Sequence, residues 1–325
     1  MTTDPVLVTG VTGFIGSHTA EALLRRGTPV VGIDNFDPYY DVAIKHRNVQ
    51  EIETTAQQAG TSFAMAEGDI CNRDLIQQLL AEHNVRAIIH LAAKAGVRPS
   101  LEDPVGYART NVEGTINLLE AARGAAIARF VFGSSSSVYG AATQVPFSED
   151  QPVSMPISPY GASKVAAEAY CYTYHSLYDL PVVCLRFFTV YGPRQRPDLA
   201  INKFVRLMSV DEPIPRYGDG TSKRDYTYIA DIVRGILSAL DSHIQWDIIN
   251  LGSDNPISLN QLIAALEDVL GKHATIHELP PQPGDMRQTH ADITKARRLL
   301  GWQPQVPLRD GLQEFVEWWR SVWRS

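Results

Sequence analysis

Apolar residues along the first half of the chain come in short runs, and each run is followed by a stretch with helical spacing. "PVLVTG" predicts a strand, and "SHTAEALLRRG" spaces its apolar positions as an amphipathic helix closed by Gly27. "PVVGIDN", "SFAMAEGDI", "RAIIHLAA", "ARFVFGSSS" and "PVVCLRFFTVYG" predict further strands. Between them, "EGTINLLEAARGA" and "ASKVAAEAYCYTYHSLY" read as helices. The strands are nearly all apolar instead of alternating. Such strands are buried on both faces, so the pattern predicts an α/β fold, a doubly wound parallel sheet covered by helices on both sides.

After Gly192 the rhythm breaks. "GPRQRPDLA" and "DEPIPRYGDGTSKRD" are punctuated by Pro and Gly, as in loops that line a binding cleft. "DIVRGILSALDS" and "SLNQLIAALEDVLG" predict helices, the second with Ser258 as N-cap, and "FVEWWRSVW" predicts an amphipathic cap packed through its tryptophans. No internal repeat is present. The expected division is a first domain over residues 1–188, rejoined by a segment at about 224–252. A smaller, loop-rich α/β substrate domain is expected over 189–223 and 253–325.

The 325 residues, 44% hydrophobic and 20% charged, can bury a large core. A net charge of -7 without a basic block argues against nucleic acid as the main partner. Cys71, Cys171 and Cys184 form no CxxC pair, and the histidines, His90 included, show no metal spacing. The start "MTTDPVLVTG" lacks the pattern of a signal peptide, and no apolar run approaches the roughly 18 residues that span a bilayer. These features lead us to expect a cytoplasmic protein without a membrane partner.

"TGVTGFIGSH" places Gly10, Gly13 and Gly16 between the first strand and the first helix. Glycines there let a pyrophosphate approach the backbone, and the helix start supplies N–H donors, so the fold is expected to be of the Rossmann, dinucleotide-binding type. Asp34 ends the second strand and is suited to a ribose diol; with Asn35 next and no arginine beside it, NAD is expected over NADP. Asp69, in "GDI" after the third strand, is placed to reach the adenine amino group. Of thirteen tyrosines only Tyr160 has a lysine four residues on, in "YGASK". On a helix the two share a face, so Lys164 is expected to lower the phenol's pKa and make Tyr160 a general base.

"TGVTGFIG", Asp34, "HLAA", "SSSSVYG" and "YGASK" together resemble the extended short-chain dehydrogenase/reductases, in their nucleotide-sugar epimerase and dehydratase branch. Later motifs, "RYGDGTSKRDYTYIADI", "NLGSDNPISL" and "PGDMRQTHADITKARRLLGW", extend the resemblance over almost the whole chain. It implies a bound NAD, a nucleoside-diphosphate sugar and oxidation at C4. By resemblance Ser135 is the catalytic hydroxyl beside Tyr160 and Lys164. The cofactor site then takes in Phe14 and Ile15 from the glycine turn, Ile70, and Leu91, Ala92 and Ala93 of "HLAA". Lys94 lines it and Phe187 packs beside the nicotinamide.

Dehydratases of the branch carry Asp-Glu after the catalytic Thr, and uronate decarboxylases carry Glu before "VYG"; here Ser136 and Ser137 stand instead, which leaves epimerisation. "DNFDPYYD", "HLAAKAGVRPS" and "RFFTVYGPRQRPD" are most similar to the UDP-glucuronate 4-epimerases. By that resemblance Ser136, Ser137, Thr189 and Arg196 clamp the sugar carboxylate, Lys203 and Phe204 lie near the uracil, and Arg224 and Arg287 grip the diphosphate. Taken singly, Arg224 and Arg287 read equally well as solvated surface charges. A UDP-glucose 4-epimerase and an idle NAD-binding protein stay open as alternatives. A homodimer through "VEGTINLLEAAR" and "KVAAEAYCYTYHSLY" is also implied.

Overall fold

Six strands form where the apolar runs predict them: β1 (Val6–Thr9), β2 (Val30–Asp34), β3 (Phe63–Glu67), β4 (Ala87–His90), β5 (Arg129–Ser135) and β6 (Val182–Phe187). The structure, a computed structural model, describes residues 4–125, 127–142, 144–280 and 286–323. Every residue of β1, β2, β4, β5 and β6 is buried, while β3, at the sheet edge, is half-buried. The last run, "PVVCLRFFTVYG", divides where one strand was expected. Phe188 N–H donates to Leu251 O at 3.1 Å, and β7 (Thr189–Tyr191) then leaves the sheet.

Five more strands follow: β8 (Ile214–Tyr217), β9 (Lys223–Tyr228), β10 (Trp246–Leu251), β11 (Pro256–Ser258) and β12 (Ile276–Leu279). β10 joins the main sheet, whose order is β10-β6-β5-β4-β1-β2-β3, parallel throughout. Outside it, β7 pairs in parallel with β9, β9 antiparallel with β11, and β8 in parallel with β12. The main order reverses between β1 and β4. In open α/β sheets that point opens a crevice at the carboxyl ends of the strands.

The helices are α1 (Phe14–Arg25), α2 (Val42–Ala59), α3 (Arg73–Glu82), α4 (Val97–Glu102), α5 (Pro104–Ala108), α6 (Gly114–Gly124), α7 (Pro159–Tyr178), α8 (Ala200–Ser209), α9 (Ile229–Asp241), α10 (Leu259–Leu270), α11 (Thr294–Leu300) and α12 (Leu308–Trp323). Strand side chains alternate between two cores. Val6 and Val8 point with α1 and α9 into one; Leu7 points with α3, α6 and α7 into the other. Ser258 caps α10 in a reciprocal box with Gln261, as its position predicts, and Trp319 of α12 is buried in the first core. No helix among the described residues is long and apolar enough to cross a membrane.

Candidate active site

The chain turns from β1 into α1 with almost no space to spare. Gly10 has φ +67°, and a Cβ there would lie 2.8 Å from the Ala92 backbone; a Cβ on Gly16 would lie 2.1 Å from Gly10 O. Those two glycines are fixed by chain-to-chain contact. Gly13 is the N-cap of α1, which has no capping side chain, so the helix's first N–H groups are left for an anion.

At the end of β2 the Asp34 carboxylate is oriented by N–H groups of Thr12 (3.2 Å) and Phe36 (2.9 Å), with buried Lys45 at 3.7 Å. Asp69 Oδ1 accepts from Cys71 N–H, and its other oxygen faces Asn35 Nδ2 at 3.4 Å. Asp34, Asn35 and Asp69 thus border one mouth, as their strand-end positions predict. Lys45 was missed, because nothing in a helical lysine marks it as folding back onto Asp34.

Behind the glycine turn, a buried chain of hydrogen bonds fixes a histidine tautomer. Thr9 Oγ1 accepts from the N–H groups of Leu91 (3.1 Å) and Ala92 (3.0 Å), so its own hydrogen goes to His90 Nδ1 (2.8 Å). His90 therefore carries its proton on Nε2 and donates to Thr115 Oγ1 (3.0 Å), which donates to Asn111 O (2.6 Å). Burial, with the Lys164 charge, keeps this imidazole well below its ordinary pKa and neutral. Asn111 sits in a π-helical turn (Arg109–Glu113) ahead of α6. Its side chain ties Lys94 N–H and C=O to Ser163 Oγ, and Ser163 Oγ donates to Tyr160 O. His90, which shows no metal spacing in the sequence, makes the bonds of a structural group.

Tyr160 enters the cleft from the first turn of α7, which starts at Pro159 with Ser158 as N-cap accepting from Gly161 N–H at 3.0 Å. Lys164, one turn on, is buried; it donates to Gly133 O at 2.7 Å and lies 4.8 Å over the Phe132 ring. Burial lowers its pKa to about 8. Burial also raises the Tyr160 phenol; a hydrogen bond with Ser135 and the Arg196 charge act in the opposite direction. The groups that act to lower the phenol's pKa are Ser135 and Arg196; Lys164, expected to do so, gives one of its three N–H groups to the Gly133 carbonyl.

These elements enclose a cleft of about 560 Å³, within the usual range for cofactor and ligand sites. It brings together Gly10, Gly13, Phe14, Ile15 and Gly16 with Asp34, Asn35, Asp69 and Ile70. Leu91, Ala92, Ala93 and Lys94 line it too, as do Ser135, Tyr160, Lys164, Phe187, Thr189 and Arg196. Ser135 and Phe187 are register partners across β5 and β6. Tyr39, Tyr107 and Asp103 also line it and were not anticipated.

The serine run is divided by the strand. Ser134 Oγ donates to buried Glu168 at 2.6 Å, whereas Ser135 Oγ lies in the cleft and donates to Ser137 Oγ at 3.2 Å. Ser136 and Ser137 begin a 3-10 turn and do not line the cleft. Nor do Lys203, Phe204, Arg224 or Arg287. Phe204 is buried in the core, Arg224 donates to Lys223 O and Arg287 is exposed. Arg196 lines the cleft with its guanidinium paired to Asp198. Arg98 of α4 lies over the Tyr217 ring of β8 at 5.1 Å, an aromatic contact that sequence reading did not find.

A family model described as GDP-mannose 4,6 dehydratase matches residues 7–315. A UDP-glucuronate 4-epimerase of Thermodesulfobacterium geofontis is 43% identical over 313 residues, 96% of this chain and 95% of that protein. The crystal structure of a Bacillus cereus UDP-glucuronic acid 4-epimerase with UDP-glucuronic acid and NAD is 40% identical. It superposes with a TM-score of 0.91 over 98% of this chain and 99% of that one. A Thermotoga maritima UDP-glucose 4-epimerase with UDP-glucose is 32% identical, with a TM-score of 0.88 over 98% and 99% of the two chains. Matched over nearly its full length, the chain belongs to the GDP-mannose 4,6 dehydratase family, with the extended short-chain dehydrogenase/reductase fold its motifs resemble.

Proposed function

We propose that the protein is an NAD-dependent epimerase acting at C4 of a UDP-hexuronic acid, interconverting UDP-glucuronate and UDP-galacturonate. One observation carries this reading: Ser135, Tyr160 and Lys164 line one cleft together with the glycine turn, Thr189 and Arg196. The glycine turn, the uncapped start of α1 and the oriented Asp34 fit a dinucleotide with an unmodified ribose. When bound, NAD supplies the hydride acceptor and donor at C4. Tyr160 takes the O4 proton and returns it, Ser135 hydrogen-bonds O4, and Lys164 offers its ammonium beside them. Thr189 and Arg196, which line the cleft, restrain the carboxylate. Restraint matters because a 4-keto-uronate is a β-keto acid and loses carbon dioxide when its C5–carboxylate bond aligns with the carbonyl π system. The test is to incubate the NAD-loaded protein with UDP-glucuronate and with UDP-glucose. UDP-galacturonate from the first is expected; preferential conversion of UDP-glucose sinks the uronate reading.

We assign residues 1–188 and about 224–252 to cofactor binding, and 189–223 with 253–325 to the nucleotide sugar. The return of β10 to the main sheet supports this division. A cytoplasmic homodimer completes the reading. Three unpaired cysteines support a reducing compartment, and Tyr170, Tyr172, Leu177 and Tyr178 on α7 give a second copy an apolar surface. A monomeric mass at micromolar concentration would refute the dimer.

A further inference from the structure

The guanidinium of Arg196 is engaged before any substrate reaches it. Its Nε and NH2 donate to the Asp198 carboxylate at 2.9 and 2.7 Å, and NH1 donates to Ala95 O at 3.2 Å. The guanidinium carbon lies over the Tyr39 ring, 5.0 Å from its centroid, and Tyr39 OH donates to Asp198 Oδ2 at 3.3 Å. Three of five N–H groups are used, so each terminal nitrogen keeps one, two donors for the two oxygens of a carboxylate.

The supports of this assembly are themselves fixed. In the turn after β2, Asn35 Oδ1 accepts from Asp37 N–H at 3.1 Å, and Asp37 Oδ1 from Tyr39 N–H at 2.9 Å. On the other side, the Gly192–Asp198 turn is bolted to the cofactor-side helices: Arg194 pairs with Glu21 at 2.6 Å and with Glu51, and His18 donates to Pro193 O at 2.9 Å. Gln195, buried, donates to Val190 O and receives Asn202.

We propose that Asp198, helped by Tyr39, is a positioning residue that holds Arg196 in one orientation and thereby sets whether the 4-keto intermediate is reduced back or loses carbon dioxide. This rests on the uronate reading above. A free arginine has several soft torsions and can follow a rotating carboxylate; a guanidinium clamped along one edge cannot. Asp198 also cancels the arginine's charge and repels a second carboxylate from its own side, leaving the uronate one place to sit.

Replacing Asp198 by Asn loosens the clamp without touching Ser135, Tyr160 or Lys164. In the loosened site hydride still passes from C4 to NAD and the O4 proton to Tyr160. The C5–C6 bond then breaks, its electron pair stays on C5, carbon dioxide leaves and C5 takes a proton. The products are UDP-4-keto-pentose, carbon dioxide and NADH. A barrier difference of about 1.4 kcal/mol suffices for a tenfold change.

The experiment uses NAD-loaded wild type, Asp198→Asn and Tyr39→Phe with UDP-glucuronate, and measures keto-pentose against UDP-galacturonate together with NADH absorbance. Asp198→Asn is expected to raise the keto-pentose fraction at least tenfold. Tyr39→Phe, which keeps the ring and sits on a half-exposed side chain, is expected to raise it about threefold, and decides the matter if Asp198→Asn does not fold. A second readout needs no turnover: the Arg196 Nε–H signal in ¹⁵N NMR should exchange slowly in wild type and quickly in Asp198→Asn. A partition within twofold of wild type in folded, active variants overturns the proposal, as does fast exchange in wild type or a folded, NAD-loaded Asp198→Asn that forms no NADH. Failure of wild type to make UDP-galacturonate overturns the uronate reading itself, a result distinct from all of these.

Discussion

Glu168→Gln tests the foundation under the reacting groups. Ser134, Arg186 and Asn250 lie in register on β5, β6 and β10, and Glu168 reaches down from α7 onto that row. Arg186 gives Glu168 two bonds, Nε at 2.9 Å and NH2 at 2.8 Å, and Ser134 Oγ gives a third at 2.6 Å. The guanidinium lies 4.8 Å over the Tyr139 ring, whose hydroxyl donates to Asn250 at 2.7 Å. Arg186 is 1% exposed and Glu168 4%. Burial alone would lower the arginine's pKa; the bonds to Glu168 overcome it and raise it.

An amide at 168 keeps the volume but turns one acceptor into a donor facing an arginine N–H, and it leaves a buried cation unpaired. Breaking such a pair costs about 3–5 kcal/mol. For a chain of this length about 4 kcal/mol lowers the melting midpoint by roughly 6 °C. Glu168 also helps keep Lys164, one turn back, protonated, so in the variant Lys164 should dissociate at lower pH than the wild-type value of about 8. Calorimetry gives the midpoint and the pH dependence of turnover follows the lysine. Glu168→Met with Arg186→Met should recover at least half the loss, since apolar replacement of a whole buried pair is often neutral. A midpoint lowered by less than about 1.5 °C in the single variant, equivalent to about 1 kcal/mol, would refute the reasoning.

Tyr160→Phe should keep NAD bound, because the ring and its edge-on contact with Tyr107 at 6.1 Å remain. Turnover should fall at least about a hundredfold, and near-normal turnover contradicts the assigned base. Asp34→Ala should weaken NAD retention on gel filtration, and Asp34→Arg should let NADP bind; release of NADP from denatured wild type contradicts the cofactor assignment. His18, lowered to about 4 by burial and by Arg194, is neutral in the fold. Between pH 6.5 and 4 the unfolded chain takes up a proton that the folded chain refuses, so stability falls as pH falls, by about 1.4 kcal/mol per unit. His18→Gln should flatten that slope in melts at pH 5 and 7.5, and an unchanged slope rejects the assignment.

What the sequence made legible follows from how local each signal is. Nearly all-apolar strands such as "RAIIHLAA" announce a sheet buried on both faces, and the glycine turn announces its crevice, because both depend on neighbours within ten residues. The seventh strand, "WDIINL", carries Asp247 and Asn250 and is half-buried over its first three residues, so no continuous apolar run marked it. The split of "PVVCLRFFTVYG" was hidden for the opposite reason: both halves are apolar, and only Leu251, more than sixty residues on, shows where the first ends. Lys45 on Asp34 and Tyr39 on Arg196 are contacts that need the fold. Glu168 was within reach of sequence reading, since i+4 from Lys164 sets it on the same face of α7. Asp198, two residues beyond Arg196, was also close at hand, but an extended loop offers no periodicity from which to infer a pair.

Two guanidinium–carboxylate pairs flank the reacting groups, and burial gives them opposite uses. Glu168–Arg186 has 5% and 2% of its side chains exposed, so separating it strands a charge where no water can reach; that pair is fixed for as long as the protein is folded. Asp198–Arg196 has 35% and 16% exposed, enough for water to share the aspartate while the arginine's two remaining N–H groups stay open to an incoming carboxylate. The first therefore sets where β5 and α7 hold Ser135 and Lys164. Under the proposed function, the second offers a hexuronate a partner whose orientation is fixed and whose two remaining N–H groups are open. A neutral hexose would make no use of those donors, so under the proposed function discrimination for the uronate is expected to follow Asp198–Arg196, and the placement of the proton-transfer groups to follow Glu168–Arg186.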